Sequence, residues 1–476
     1  MVSETARRSS PILANTPRLL RVLERVLPGP LGVRLVTLLQ QEGTAGTAAK
    51  GSIAAFIIAA VGVVISFVMQ TTLARSLGDT EYGTYTVVLV WMNVILLGTK
   101  VELDIVTTRF VGAYAATNDW PRLHGLLRFI PQRVFLRSLI VATLGAIGLL
   151  GVRGTRFDHF VASGLVALPL FVLTAQVMVR SAALQGFKHV LASQLPTVVV
   201  RPALFLACVW ILLIAGVQMA PQSAVAINAL ATVVAVVVAE RYLRRAAPRE
   251  VSQAPPINDI KSWQRVGYGL VFISAAQLTL SQHTDILLVA ALINRTNSAH
   301  YSAASQLAQL VAFASTAVMF IVAPLISELF AARRLDTLHR FTRATVTVCV
   351  AISFTLLIGI VAFGRPMLGI FGTEFRVAYS ALVLLAISQF INASVGALAG
   401  WLMTMTGNER PAALMIGGSA LLNFALAIPL TATYGLVGTA TATLITTLVR
   451  SLVLSVYLRR NLGLLLTPGG LGHLSA

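Results

Sequence analysis

The stretch ARSLGDTEYGTY (Ala74–Tyr85) is a short polar segment between two apolar ones, Gly51–Leu73 and Thr84–Gly98. Each neighbour belongs to an apolar run of about 20 residues, the length that a helix needs to cross the hydrocarbon core of a bilayer. The stretch therefore predicts the turn of a hairpin of two membrane-spanning helices. Gly78 and Gly83 are expected to permit the tight reversal of the chain.

The whole chain has the composition of an integral membrane protein. Of its 476 residues, 57% are hydrophobic and 11% are charged, and its mean hydropathy is +0.82, whereas a soluble domain carries about 25% charged residues. The apolar runs predict an all-α protein with about 12 transmembrane helices. The predicted spans are 52–74, 84–106, 133–152, 159–180, 193–215, 221–240, 266–293, 301–327, 344–363, 377–405, 411–430 and 436–458.

Lysine and arginine are distributed unevenly between the two predicted faces of the membrane. Of the 36 basic residues, 26 lie on the side of the N-terminus, six lie on the other side and four lie within spans. Because basic loops stay in the cytoplasm during insertion, both termini are predicted to be cytoplasmic. The turn at 74–85 is then on the outer side, and the protein is a multi-pass protein of the cell membrane.

The motifs of enzymes, metal sites and nucleotide-binding loops are missing from the sequence. No Walker A, GxSxG or HExxH motif occurs, and the histidines and cysteines have no metal-binding spacing. We therefore expect no enzyme, no metal and no bound cofactor. The net charge of +19 is explained by membrane topology, so no nucleic-acid partner is expected either. The glycines at 145, 148, 151 and 154 have the helical spacing typical of close helix packing.

An internal repeat divides the chain into two halves. At an offset of 216 residues GDTEYGTYTVV aligns with NRTNSAHYSAA, which matches Thr80 with Thr296 and Tyr85 with Tyr301. An even number of spans in each half inserts both halves in the same orientation, and such parallel repeats are typical of transporters. The predicted segments are a basic amphipathic or disordered cytoplasmic arm (1–50), an N-terminal six-helix lobe (51–240), a cytoplasmic linker (241–265), a C-terminal six-helix lobe (266–460) and a cytoplasmic tail (461–476).

The order and spacing of several motifs resemble the oligosaccharide flippases of bacterial polysaccharide and lipopolysaccharide biosynthesis. These belong to the multidrug/oligosaccharidyl-lipid/polysaccharide (MOP) exporter superfamily, and the resemblance covers about residues 50–460. The second turn, TNSAHY, lacks the Gly-x-Tyr form of GTY in the first. The motifs are ARSLGDTEYGTY, LDIVTTRFVGAY (Leu103–Tyr114), AALQGFKHVLASQLPTVVVRP (Ala182–Pro202), SQHTDILLVAALI (Ser281–Ile293), APLISELFAARRLDTL (Ala323–Leu338) and MTGNERPA (Met405–Ala412).

The resemblance implies a fold, a substrate and a location. It implies two six-helix lobes around a central, cation-lined cavity with alternating access. Its substrate is a polyprenyl diphosphate that carries a glycan and moves from the inner to the outer leaflet of the bacterial cytoplasmic membrane. Membrane lipids, a glycan polymerase and glycosyltransferases of the same pathway are the expected partners, and H⁺ or Na⁺ is a possible coupling ion.

Three arginines are the candidate binding groups for the diphosphate. Arg109 occupies the position of the arginine in the opening motif, Arg201 precedes Pro202 in the fifth span, and Arg450 lies in the twelfth. A guanidinium group can bind phosphate oxygens with two hydrogen bonds. The alternative for each arginine is that its side chain extends to the membrane interface.

Four further ionisable residues are candidates for ion coupling or for structural pairing, because such groups within a span commonly mark a pathway. Lys100, Glu102 and Asp104 cluster in the second span, and Lys100 and Asp104 are spaced to pair on one helical face. Asp285 in the seventh span could respond to an ion or accept hydrogen bonds from neighbouring side chains. A structural role is favoured for both groups.

Several other functions remain open from the sequence. A peptidoglycan-precursor lipid flippase has a similar substrate but usually has two more helices. A multidrug antiporter of the MATE type would require acidic groups in its cavity, whereas the candidate headgroup residues Arg109, Arg201 and Arg450 are basic. A membrane glycan polymerase or glycosyltransferase would normally have a long outer loop, and every predicted outer loop here is short.

Overall fold

The structure of the chain is a computed structural model. It describes residues 44–462 apart from 101–102, 156–157, 268–281, 332–334, 397–398, 400–402 and 404–408. The predicted N-terminal arm lies almost entirely outside the described residues, and so does nearly all of the predicted tail. The described residues are helical throughout, apart from short turns, and contain no strand.

The first half of the chain contains six passes through the bundle. Its first helix reverses direction at Gly78, where the backbone has φ 76° and ψ 170°, so that one helical element contains the first pass and the beginning of the second. The elements are α1 (Thr44–Lys100), α2 (Leu103–Thr117), α3 (Trp120–Gly151), α4 (Asp158–Gly186), α5 (Val190–Gln194), the π-helix π1 (Leu195–Val200), α6 (Arg201–Ile214), α7 (Pro221–Ala246) and the short α8 (Arg249–Gln253).

The second half repeats this arrangement after a helical stretch at 260–267. Its last helix reverses at Gly435, where φ is 60° and ψ is −136°. The elements are α9 (Gln282–Leu292), α10 (Arg295–Ala331), α11 (Leu335–Gly369), a 3₁₀-helix (Thr373–Ala378), α12 (Tyr379–Ile391), the π-helix π2 (Asn392–Gly396) and α13 (Glu409–Leu462).

The described helices confirm the predicted architecture. Eight segments are long and apolar enough to cross a membrane, by length and composition. Two of them reverse at Gly78 or Gly435 and therefore contain two passes each, and α9 and α10 complete the twelve. The protein is an all-α membrane protein with two pseudo-symmetric six-helix lobes.

The first reversal is tighter than the sequence indicated. Only Gly78 leaves the helical conformation, at a positive φ that glycine adopts readily. Asp79 begins the second arm of α1, and its Oδ1 accepts a hydrogen bond of 2.6 Å from the backbone N–H of Thr80. The expectation that Gly83 contributes to the reversal was wrong, since Gly83 lies within this second arm.

The two halves meet along an approximate twofold axis near their first turns. Thr80 and Thr296, which the repeat aligns, are joined by a hydrogen bond of 3.0 Å between their hydroxyl groups. Equivalent residues touch each other only where they lie close to a symmetry axis. Gly83 lies in the same interface: a Cβ atom there would be 2.7 Å from the carbonyl carbon of Arg295 in α10. A glycine at this position therefore permits the helices of the two halves to pack closely.

The linker between the halves is packed against the first half. The backbone N–H of Ile257 donates a hydrogen bond of 2.9 Å to the carbonyl of Pro121. The Trp263 side chain is fully buried, and its Nε1 donates a hydrogen bond of 3.2 Å to the Tyr114 hydroxyl. A Cβ atom on Gly125 would collide with the backbone at Ile257, so the linker lies directly on α3.

The glycine series in α3 has two different environments. A Cβ atom at Gly145 would be 3.3 Å from the Leu168 side chain, as close helix packing requires, whereas one at Gly148, Gly151 or Gly154 would meet nothing within 4 Å. The predicted close packing is therefore wrong for the last three positions. Gly145 and Gly148 instead line an apolar crevice of about 620 Å³ between α1, α3 and α4.

Candidate functional site

A cavity of about 550 Å³ lies between the two halves. Its walls come from the first arm of α1 and from π1 in the first half, and from α10 in the second half. None of its described lining residues is charged. The polar lining residues are Ser66, Gln70, Thr197, Gln306 and Gln309.

At the end of this cavity nearer the turn at Gly78 lies a hydrogen-bonded group that we call the cavity roof, formed by Gln70, Tyr82 and Gln306. The Tyr82 hydroxyl donates to Gln70 Oε1 at 3.0 Å and accepts from Gln306 Nε2 at 3.2 Å. Gln306 Nε2 also lies 3.4 Å from the hydroxyl of Ser302. Because Tyr82 is fully buried and Gln306 belongs to the other half, the roof joins the two halves.

Beyond the roof, toward the turn at Gly78, charged and polar side chains connect the halves. Arg295 Nη1 donates a hydrogen bond of 3.1 Å to the Thr84 hydroxyl and lies 3.9 Å from Glu81 Oε1. His300 Nε2 lies 3.5 Å from Asp79 Oδ2. The halves are therefore in contact at the end of the bundle that the sequence predicts to be outside.

Arg201 lies directly after π1, whose Thr197 and Val198 line the cavity. Its guanidinium group is close enough to Tyr85 to interact with it electrostatically, and no carboxylate among the described residues pairs with it. Tyr85 is itself held by a hydrogen bond of 3.3 Å from Asn228 Nδ2. Since π-helical turns commonly occur at functional sites, the position of Arg201 beside one agrees with its candidacy.

Arg450 lies beside the second π-helix. Its Nη2 donates a hydrogen bond of 3.0 Å to the side chain of Asn392, the first residue of π2. One turn earlier on α13, Thr447 and Ser388 are joined at 3.0 Å. Each half therefore has one arginine next to a π-helix, and Arg450 has a defined polar partner that the sequence did not identify.

Arg109 has a different environment. It is exposed, on the face of α2 opposite the buried Leu103, Thr107 and Val111. No hydrogen bond or ion pair joins it to another described residue. The structure does not place the three candidate arginines in contact with one another, and their joint role remains a prediction.

The lysine–aspartate pair in the second pass is present. Lys100 Nζ lies 2.8 Å from Asp104 Oδ2, and both side chains are 14% exposed. The pair connects α1 with α2 across residues 101–102. Glu102, the third member of the predicted cluster, lies outside the described residues.

Asp285 is a buried hydrogen-bond acceptor that joins three helices. Its Oδ2 accepts from the Tyr301 hydroxyl at 2.9 Å and from the Thr443 hydroxyl at 2.8 Å. These two donors come from α10 and α13, far from Asp285 in the sequence. Tyr301 and its repeat counterpart Tyr85 thus each make a hydrogen bond within their own half, Tyr301 to Asp285 in α9 and Tyr85 with Asn228 in α7.

Sequence reasoning missed the residues of the cavity roof. Glutamine within an apolar span is uncommon, and this signal at positions 70, 306 and 309 was available in the sequence. The sequence could not show that Gln70 and Gln306 meet on one tyrosine. Among the described residues no cluster of three His, Cys, Asp or Glu side chains could hold a metal ion.

The chain has the fold of MOP superfamily transporters. It matches a multidrug resistance MATE transporter in an inward-facing conformation with a TM-score of 0.66 and 14% identity, over 86% of this chain and 98% of that chain. It matches the lipid II flippase MurJ with a TM-score of 0.65 and 13% identity, over 86% of this chain and 87% of that chain. It also matches a MOP superfamily transporter from Pyrococcus furiosus, described as having a binding pocket of reverse polarity. The TM-score is 0.61 and the identity 14%, over 93% of this chain and 98% of that chain. No protein-family model matches the chain, and no curated protein matches its sequence.

Proposed function

We propose that this chain is a flippase for lipid-linked oligosaccharides. It moves a lipid diphosphate that bears a sugar oligomer from the inner to the outer leaflet of a bacterial cytoplasmic membrane. The observation that carries the proposal is the cavity between two six-pass halves, whose five polar lining residues include Gln70 and Gln306 of the roof at the predicted outer end. Breaking the contacts at that end and forming others at the opposite end would give alternating access.

Cationic side chains near the path support an anionic headgroup. Arg201 and Arg450 lie within membrane passes beside the two π-helices, and Arg109 is exposed on α2. A charge within a span is costly and is generally retained where it faces protein, water or a substrate. Their proposed role is to bind the diphosphate as it crosses, with glycosyltransferases of the same pathway acting before this step and a glycan polymerase acting after it.

A second candidate, an antiporter of cationic drugs, has less support from the charges of the described lining. That activity requires a carboxylate in the cavity, and none of the described lining residues is acidic. Asp285 is buried and already accepts two hydrogen bonds. A flippase for peptidoglycan precursors would use the same kind of lipid diphosphate, so substrate choice must be measured directly.

The test is reconstitution of the purified chain into liposomes. Their inner leaflet is loaded with a polyprenyl diphosphate-linked oligosaccharide, and a membrane-impermeant glycosidase reports its arrival outside. We expect faster arrival than in protein-free liposomes, and slower transport of lipid II. Transport of lipid II alone would favour the peptidoglycan-precursor alternative, and transport of neither lipid would refute a flippase.

The arginines are tested in the same assay. We expect Arg201→Gln to slow flipping about tenfold or more, because a hydrogen bond to a charged group contributes about 1.5–3 kcal/mol. Arg109→Gln and Arg450→Gln are expected to act in the same direction. Arg153→Gln, in an exposed turn, is the matched control. Unchanged flipping in all three variants would remove these residues from the headgroup site.

A further inference from the structure

The cavity between the halves has the chemistry of a site for neutral hydroxyl groups. Its described polar lining consists of amides and hydroxyls. A diphosphate within a low-dielectric site needs cationic partners, and the described lining offers none. Amide side chains both donate and accept hydrogen bonds, as the hydroxyl groups of a sugar also do.

The roof has one donor group and one acceptor group without a described partner. Gln70 uses its Oε1 to accept from Tyr82, and its amide nitrogen has no described partner. Gln306 uses its Nε2 to donate to Tyr82 and Ser302, and its amide oxygen has no described partner. A sugar hydroxyl accepts one hydrogen bond and donates another, so it matches this pair of groups.

Burial fixes these groups in place. Tyr82 is fully buried and packs against the rings of Tyr85 and Phe375, at centroid distances of 6.4 and 6.0 Å. Because the Tyr82 hydroxyl contacts both glutamines, it holds both amides in defined orientations. Groups that are oriented before binding lose less entropy when a ligand binds.

The remaining wall suits the apolar faces of sugar rings. Phe67 and Phe313 both line the cavity, and aromatic rings offer flat surfaces on which the C–H faces of a pyranose ring can pack. The volume of about 550 Å³ lies within the range of small-molecule sites, about 300–1,000 Å³. A short glycan segment therefore fits the cavity in both size and chemistry.

We propose that Gln70 and Gln306 form a recognition site for the neutral sugars of the substrate, and that the diphosphate is held outside this cavity. The proposal rests on the proposed flippase function and specifies which part of the substrate enters the cavity. Because Gln70 and Gln306 come from different halves, the site exists only while the halves are in contact at the roof. The glycan is thus recognised in the conformation described here.

The test measures binding of two probes to the full chain in nanodiscs by thermophoresis. One probe is a polyprenyl diphosphate that carries a neutral trisaccharide, and the other is the same lipid diphosphate without sugar. We expect Gln306→Leu and Gln70→Leu each to weaken binding of the glycan probe about three- to tenfold, the effect of one hydrogen bond between neutral groups. Binding of the sugar-free probe is expected to stay within about twofold.

Two further variants separate recognition from structural damage. Gln389→Leu removes an amide from α12, outside the described cavity lining, and is expected to leave both affinities unchanged. Gln306→Glu introduces a negative charge into the roof, so it reports whether a diphosphate is close. We expect the affinity for the sugar-free probe to be unchanged in this variant. Variants are compared only when their thermal midpoints agree with wild type.

The outcomes distinguish this proposal from the flippase proposal. Three results would each overturn the sugar site. The leucine variants could lose affinity equally for both probes, or they could lose no affinity for the glycan probe. Gln306→Glu could strongly lose affinity for the sugar-free probe. These three results leave the flippase function standing, because the lipid diphosphate still binds to wild type. Failure of wild type to bind either probe would overturn both proposals.

Discussion

The close approach of the two halves at Gly83 gives a direct test of how the predicted outer end is closed. In a Gly83→Ala variant the new Cβ atom would be 2.7 Å from the carbonyl carbon of Arg295 and 3.5 Å from the Cβ of Ala299. Ordinary contact begins at about 3.4 Å. The two helices must therefore separate by about 0.7 Å or more, and the displaced atoms are backbone atoms that cannot rotate away.

This separation is large enough to break the neighbouring hydrogen bonds. The Thr80–Thr296 hydrogen bond is 3.0 Å long, and the one from Arg295 to Thr84 is 3.1 Å long. A lengthening of about 0.7 Å takes both beyond the limit of about 3.5 Å for a useful hydrogen bond. Each contributes about 1 kcal/mol, so the closed state loses about 2 kcal/mol. The ratio of closed to open molecules then falls about thirtyfold.

The assay is a distance measurement between spin labels at the predicted outer end of each half. Labels at Arg153→Cys and Val377→Cys report on the two halves, because both positions are exposed. The two native cysteines, Cys208 and Cys349, form no disulfide and are replaced first. We expect one principal distance in the parent protein and an added longer component in the alanine variant.

Gly98→Ala is the matched control for Gly83→Ala. Gly98 lies on the same arm of α1, and a Cβ atom there would meet nothing within 4 Å. Both variants gain the helix preference of alanine over glycine, about 1 kcal/mol, so only the contact between halves differs. If the two variants give the same distance distribution, the close approach at Gly83 does not hold the halves together.

Three other predictions concern particular contacts. Two of them are measured as a change in the thermal unfolding midpoint in detergent, and the prediction for Gly125 is measured by proteolysis. Asp285→Ala leaves two buried hydroxyl donors unpaired and is expected to lower the free energy of unfolding by about 2–4 kcal/mol. Asp285→Asn keeps an acceptor and should lower it by less than about 1 kcal/mol. Equal losses in the two variants would contradict the acceptor role. Gly125→Ala pushes the linker off α3, and faster proteolysis at 254–259 is expected; unchanged cleavage would refute the packing. Glu240→Gln is expected to cost about 1–2 kcal/mol, because Arg180, 18% exposed, loses its carboxylate partner at 2.8 Å and keeps only neutral acceptors on Gln176. Arg244→Gln should cost at most about 0.5 kcal/mol, since Arg244 is 78% exposed; the opposite order would refute this assignment.

Local sequence was sufficient to predict the helices and their number. A backbone in hydrocarbon must satisfy its own hydrogen bonds, so an apolar run of sufficient length becomes a helix whatever its neighbours are. The reversals at Gly78 and Gly435 were also readable, because glycine adopts a positive φ at low cost. The Lys100–Asp104 pair depends only on helical spacing. The sequence could not show the role of Gly83, which lies within a helix and contacts Arg295 of the other half.

Interactions between distant parts of the chain required the tertiary structure. Two donors to Asp285, Tyr301 and Thr443, lie on other helices and far away in the sequence. The glycine series in α3 had the right spacing for packing, yet only Gly145 has a neighbour within packing distance. Spacing gives the face of a helix on which a residue lies, but it does not give what that face meets.

By itself the sequence determined that this protein is a membrane protein with twelve passes and two repeated halves. The tertiary structure decided which polar groups line the space between those halves. Gln70 and Gln306 are ordinary in-span glutamines until Tyr82 brings them together. The physical reason is that hydropathy and helical geometry are properties of neighbouring residues, whereas a cavity is formed by side chains whose meeting depends on how whole helices pack.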